Sequence, residues 1–327
     1  MRQHGFALLI AGVSATIWPL PIAAQQPALP IVGILNSTTA GLRPEQEAAF
    51  RRGLGELGYV EGKNFKLEYR IANDQYDRLP ALALELINLK AAVIVAAGGP
   101  ISALASRKVT TTVPVVFTTI ADPVKAGLVE SLNRPGGNVT GTAGFTSELD
   151  PKRLELLHQI KPAGLLGVLI NPNRPDVETQ LADVNSAGQA IGRTLVVLPA
   201  GTEDELNAAF EKFVQQGIVA LLVTADPFFN SRRTQVLGLT ERHSIPAIYQ
   251  WREFTAAGGL MSYGPIISDA YRQTGLYVGR ILDGAKPADL PVTRPTRFEF
   301  VINLTTAKKL GLAFPRTLIA RADDVIE

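Results

Sequence analysis

The residues of this chain that could do chemistry are few. Three histidines occur, His4, His158 and His243. Neither His158 nor His243 has a nucleophile or carboxylate at a spacing that makes a catalytic pair, so both read as solvated or capping side chains. There is no cysteine, which removes disulfides, thiolate metal sites and a lipid anchor through a thiol. No G-x-S-x-G elbow, G-x-x-x-x-G-K-[ST] phosphate loop or H-E-x-x-H pair is present. No catalytic residue, metal site or cofactor is expected.

What the chain offers instead is a series of small and polar residues directly after short apolar runs. They are Asn36-Ser37-Thr38, Gly98-Gly99-Pro100, Thr118-Thr119 with Asp122, Asn171-Pro172-Asn173, Asp226 and Tyr249. Ligands of open parallel sheets bind beyond the carboxyl ends of the strands, so two such surfaces facing one another would make a cleft. Each residue also has a purely structural reading. Gly98-Gly99-Pro100 reads either as a tight turn or as a helix start whose free N–H groups near Ile101 and Ser102 take a carboxylate. Asp226-Pro227 reads as a helix cap or as a lone carboxylate for a ligand ammonium group. Tyr249 and Trp251 read as buried aromatics or as faces at a cleft rim. Phe228 and Phe229 fit core or interlobe packing, and Asn171-Pro172-Asn173 suits a turn.

Strand and helix must alternate to position these residues. Ile31 to Leu35, Phe65 to Tyr69, Ala92 to Ala96 and Val113 to Phe117 form one set of apolar runs. Leu165 to Ile170, Thr194 to Leu198, Val219 to Val223 and Ile245 to Tyr249 form a second. They are apolar at most positions, the pattern of parallel strands covered on both faces. Helix starts lie between them: Pro44, with its segment ending at Gly58; Asp77 ahead of Leu79, Leu82 and Leu86; Asp150-Pro151 ahead of Leu154, Leu157 and Ile160; and Thr202 with Glu205 at capping-box spacing. The two blocks, about 31 to 135 and about 150 to 255, are separated by Asn133-Arg134-Pro135-Gly136-Gly137-Asn138. The remainder is too short for a third domain, so its pieces return to the two lobes and the chain crosses between them as a hinge. The expected fold is α/β, two Rossmann-like lobes with parallel sheets joined by a multi-strand hinge. The first lobe takes 28–143 plus about 257–292, the second 144–256 plus about 293–327.

Residues 1–24 read as a cleaved export signal. Arg2 precedes an apolar run from Gly5 to Trp18, and Ala23-Ala24 stand before Gln25. The run is shorter than the roughly 20 residues of a spanning helix, and Pro19 and Pro21 follow it. Lys+Arg of 32 against Asp+Glu of 30, with no long basic run, argues against a nucleic-acid partner.

Several phrases are informative together: Gly53-Leu54-Gly55-Glu56-Leu57-Gly58-Tyr59-Val60-Glu61-Gly62, Tyr76-Asp77-Arg78-Leu79-Pro80, Ser131-Leu132-Asn133-Arg134-Pro135-Gly136-Gly137-Asn138-Val139-Thr140-Gly141, Lys152-Arg153-Leu154-Glu155-Leu156-Leu157, Asp226-Pro227-Phe228-Phe229 and Gly258-Gly259-Leu260-Met261-Ser262-Tyr263-Gly264. From about residue 28 onward the chain resembles bacterial periplasmic substrate-binding proteins of ABC transporters, in the branch with tryptophan- and tyrosine-binding members. The resemblance implies a type I periplasmic binding protein fold with three crossings. It also implies a monomer that closes on a small-molecule ligand without catalysis and docks onto an ABC permease of the inner membrane. Relatives often begin with a run of arginines; here only Arg2 stands before the apolar run, which favours the general secretory route to the periplasm.

Carried onto this sequence, the pocket is lined by Asn36, Ser37, Gly98, Gly99, Thr118, Asp122, Asp226 and Tyr249. N–H groups near Gly99, with Ser37 and Thr118, would hold an anionic end of an amino acid or related carboxylate; Asp226 would hold a cationic end, and Tyr249 would pack against it. Two rival classes remain: a sensory module serving a membrane receptor, and a secreted α/β enzyme built on Asp122 and Asp226. A DNA-binding regulator with similar lobes needs an N-terminal helical unit where the export signal stands.

Overall fold

The computed structural model describes Met1 and residues 28–39, 41–144 and 146–327. The export signal expected over 1–24 lies outside the described residues apart from Met1. In the first lobe, β1 (Ile31–Asn36), α1 (Pro44–Gly55), β2 (Lys66–Ile71), α2 (Leu79–Asn88), β3 (Ala91–Ala97), α3 (Pro100–Val109), β4 (Val115–Thr119) and β5 (Val139–Ala143) follow one another. The second lobe runs through α4 (Asp150–Ile160), β6 (Leu165–Ile170), α5 (Val177–Ala190), β7 (Leu195–Pro199), α6 (Glu203–Gln215) and β8 (Ile218–Val223). It continues with α7 (Pro227–Ser231), α8 (Arg233–Arg242), β9 (Ala247–Tyr249), α9 (Arg252–Ala256) and β10 (Met261–Pro265). Then come α10 (Ile267–Leu282), β11 (Phe298–Asn303), α11 (Leu304–Lys309), α12 (Arg316–Ile319) and β12 (Asp324–Ile326).

The first sheet is parallel throughout, in the order β2-β1-β3-β4-β5. The second has seven strands in the order β12-β11-β10-β9-β8-β6-β7. Its departure from the parallel expectation is β11, antiparallel to β10 with Tyr263 opposite Phe300. Each sheet is covered on both faces, which is why its strands read as continuous apolar runs. In the first lobe Ile94, Val115 and Phe117 face α2 and α3, while Val93, Val95 and Val116 face Phe50, Leu54 and Val278 of α1 and α10.

One boundary differs from the sequence reading. Residues 257–265 end in β10, which pairs with β9 and β11 of the second sheet. Only the α10 segment returns to the first lobe. The chain therefore passes between lobes after β5, between β10 and α10, and between α10 and β11. A short strand at a crossing carries no sign of which sheet it will join, since pairing is a long-range outcome.

Two glycines let α10 dock. A Cβ on Gly53 would lie 2.0 Å from the Arg272 carbonyl oxygen, and one on Gly275 2.2 Å from that of Phe50. The α1 and α10 backbones thus touch where any larger side chain would part them. The spacing Gly53-Leu54-Gly55-Glu56-Leu57-Gly58 matches the dinucleotide-binding G-x-G-x-x-G in letters. Here it spans the end of α1 and serves helix packing, not a strand-to-helix phosphate turn.

Beneath the crossings, Asp150 and Arg153 are fully buried and paired at 2.6 Å. Arg153 Nε donates to the Tyr263 carbonyl at 2.7 Å, and Gln180 Nε2 to Asp150 Oδ2 at 2.8 Å. This network ties the start of α4 to β10. Burial pushes the Asp150 carboxyl up and the Arg153 guanidinium down, against their mutual attraction.

Candidate functional site

Local geometry at the end of β3 follows from two glycines. Gly98 and Gly99 have φ of +81° and +101°, a region costly to residues with a Cβ. A Cβ on Gly98 would stand 2.3 Å from Ser37 Oγ. Ser37 Oγ instead donates to the Gly98 carbonyl at 2.5 Å, tying the ends of β1 and β3. Gly99 is the N-cap of α3 and supplies no side-chain acceptor, so the helix presents uncapped N–H groups and its positive end there. At the end of β4, Thr118 Oγ1 lies 2.9 Å from Thr274 Oγ1 of α10, and Thr142 Oγ1 lies 3.3 Å from the same atom.

Between the lobes is a cavity of about 380 Å³, within the roughly 300–1,000 Å³ of small-molecule pockets. The first lobe contributes Gln46, Gly98, Gly99, Thr118, Thr119 and Ile120, and the second Pro227, Asn230 and Trp251. The crossings supply Thr142–Gly144, Pro265–Ile267 and Thr293–Arg297, and α10 adds Asp269 through Gln273. Two small chambers adjoin it. One of about 20 Å³ is lined by Tyr76, Asn171, Arg174 and Asp226, and one of about 30 Å³ by Asn36, Thr38, Arg43 and Ser231. Gly98 and Pro227 border all three spaces. A Cβ on Gly99 would be 3.2 Å from Pro227 Cγ, so the lobes meet there in van der Waals contact.

Asp269 is the one carboxylate among the described residues lining the main cavity, where Arg272, Arg294 and Arg297 carry the positive charge. Arg272 is engaged by Glu56 through hydrogen bonds of 2.6 and 2.5 Å. Arg297 lies 3.7 Å from Asp269, and Arg294 lies 3.6 Å from Glu148. Trp251 is only 4% exposed and gives the cavity an aromatic wall. No cysteine, histidine, serine or lysine is among these lining residues. Threonine hydroxyls, the Asp269 carboxylate and the arginine side chains are polar groups the cavity offers to a bound molecule.

The residues singled out from sequence are distributed unequally. Gly98, Gly99 and Thr118 line the main cavity, and Asn36 the smaller chamber beside it. Ser37 is fully buried, with its hydroxyl committed to Gly98. Asp122 borders neither cavity nor chamber: its Oδ1 accepts from the N–H groups of Val124 and Lys125 at 2.8 and 3.2 Å, as a turn residue. Asp226 Oδ1 caps α7 through the Phe228 N–H at 2.7 Å and accepts from Asn171 Nδ2 at 2.9 Å, with Arg174 at 3.8 Å. Burial pushes its carboxyl up, opposed by Arg174. Tyr249 is 1% exposed, stacks on Phe254 at 4.7 Å and shares its hydroxyl with Thr240 at 3.1 Å inside the second lobe. Tyr249 ends β9, and its ring belongs to the packed core of the second lobe. Trp251, two residues on, lines the cavity, as does Tyr271 of α10.

Gln46, Asn230, Tyr271, Asp269 and Thr293–Arg297 were not legible as lining. They come from the start of α1, the end of α7 and the crossings, far apart along the chain.

A family description, ABC transporter substrate binding protein, matches residues 41–326. The chain belongs to this family. This substrate-binding protein is 30% identical over 264 residues to a tyrosine-binding protein of Clostridioides difficile (strain R20291), covering 80% of this chain and 75% of that one. It is similar in structure to an ABC domain in complex with L-Trp from Streptococcus pneumonia, at 23% identity and TM-score 0.80, covering 91% and 100% of the two chains. It is also similar to a ligand-free, open substrate binding protein with adhesive properties from Clostridium difficile, at 25% identity and TM-score 0.62, covering 91% and 99%. As a member of this family, the protein is a receptor for a small ligand.

Proposed function

We propose that this protein is exported to the periplasm, captures an amino acid between its lobes as a monomer, and delivers it to an ABC permease without chemical change. The preferred ligand is an aromatic amino acid. The observation that carries the reading is one cavity between the lobes holding three complementary features: the uncapped start of α3 behind Gly98-Gly99, the Asp269 carboxylate, and the Trp251 wall. The first suits a ligand carboxylate, the second its ammonium group and the third an aromatic body. The tyrosine-binding relative and the neighbour bound to L-Trp support that choice. Closure shuts out water and strengthens each polar contact. The near balance of 32 basic and 30 acidic residues gives a nucleic acid no footprint.

The test is a thermal-unfolding and calorimetric screen of the amino acids. L-tyrosine, L-tryptophan or both should stabilise the fold by roughly 2.7 kcal/mol at about a hundred times Kd. Mass spectrometry should recover the ligand unaltered. Absence of binding across the amino acids rejects the ligand class, and a converted product rejects the receptor reading. Trp251→Leu should weaken binding of aromatic ligands more than of aliphatic ones.

A further inference from the structure

At the rim of the cleft, beyond Gln46 and Asn230, the corner where α7 meets α8 reaches across to the first lobe. Arg232 Nη2 donates to Asp74 Oδ2 at 3.0 Å, and Nη1 donates to Thr39 Oγ1. On its own lobe the same guanidinium pairs through Nε with Glu203 Oε1 at 2.7 Å and lies over the Phe228 ring at 5.5 Å. Two neighbouring contacts run the same way. Arg43 Nη2 donates to the Asn230 carbonyl, and Arg233 Nη1 lies 3.7 Å from Glu45 Oε1. Each half of the main pair is also held within its own lobe. Glu203 and Phe228 steady Arg232, while Asp74 sits at a positive φ of 61° with its N–H bonded to the Ser37 carbonyl at 2.8 Å.

We infer that Arg232 is a positioning residue, a latch that draws the lobes together before any ligand is present and slows ligand escape. The Arg232 and Asp74 side chains are 17% and 15% exposed, so the pair is largely withdrawn from water, unlike an ordinary surface bridge. Asp74 Oδ1 is buried without a hydrogen-bond partner, which leaves Arg232 as the compensation for that carboxylate's lost hydration. Closure with Arg232 in place neutralises Asp74. Closure without it would bury an unpaired charge, so the open arrangement is favoured instead. Only the ligand arm of the test below depends on the capture reading.

The chain has no cysteine, so Leu84→Cys and Val214→Cys, at exposed sites on α2 and α6 of the two lobes, take spin labels uniquely. In ligand-free protein, Arg232→Ala should shift the interlobe distance distribution to longer values. Adding Asp74→Ala should return part of the shift, because the stranded carboxylate is gone; a merely structural role for Arg232 gives no such recovery. About 1 M salt should widen the distribution of the parent and leave that of Arg232→Ala nearly unchanged. With L-tyrosine or L-tryptophan as probe, dissociation from Arg232→Ala should be about tenfold faster and association about the same. An unaltered ligand-free distribution in Arg232→Ala overturns the latch, as does an unaltered dissociation rate for a probe that binds. If neither probe binds, the ligand-free distances alone decide, and only the ligand class fails.

Discussion

Asp226 is committed to its own lobe, capping α7 and receiving Asn171. Asp226→Ala should therefore destabilise the fold by about 1 kcal/mol for the lost cap, with more for the stranded Asn171 donor. Asp226→Asn keeps an acceptor for the cap and should cost less; equilibrium denaturation of both variants checks the order. Burial raises this carboxyl in the folded state. Its contribution to stability is thus fully present below the unfolded value of about 4 and is lost as pH rises through the raised folded value. Asp226→Asn should gain on the parent protein as pH rises above about 4, read from denaturant midpoints. A constant gap would mean that Arg174 offsets burial completely. Sequence placed Asp226, Asn36, Gly98, Gly99 and Thr118 beyond strand ends, because apolar runs followed by small polar residues mark those ends. It did not reveal that Asp226 would be satisfied by Asn171, 55 residues away, nor that Tyr249 would turn into the core while Trp251 faced the cavity. Those outcomes are long-range: Asn171 and Asp226 meet because β6 and β8 are neighbours in the sheet, and Trp251 lies past the end of β9, where the cleft begins.

Helices and strands were more legible than their partnerships. Thr202 caps α6 as its spacing predicts, its Oγ1 accepting from the Glu205 N–H at 3.2 Å, while Glu205 reaches back to the Gly201 N–H at 2.7 Å. Thr202→Ala should cost about 1 kcal/mol in denaturant unfolding, since one N–H of the first turn loses its acceptor. Gly275 is a harsher test. A Val side chain there meets the Phe50 carbonyl, and the helix pair must separate. Gly275→Val should destabilise by at least roughly 1–3 kcal/mol, the cost of overpacking, in the same measurement. If Gly275→Val unfolds with the parent, the contact between α1 and α10 is not what fixes the returning segment. The apolar runs of the inner strands β1, β3, β4, β6 and β8 could be read because both faces are buried. The β10 assignment and the reversed β11 could not, because both depend on a chain that leaves one lobe, docks α10 against α1, and comes back.

At the scale of the molecule, the three crossings, the cavity and the Arg232 contact form a series from hinge to rim. The Asp150–Arg153 network holds α4 and β10 together at the second-lobe end of two crossings. Among the described residues no helix is long and apolar enough to cross a membrane. The sequence contains two tryptophans, and Trp18 falls within residues 1–24. A chain starting at Gln25 therefore carries a single indole, and it stands in the cavity wall. Its emission is a built-in optical gauge: adding L-tyrosine or L-tryptophan analogues that do not fluoresce at its wavelengths should change its intensity or colour in a saturable way, giving the occupancy of the cleft without any label.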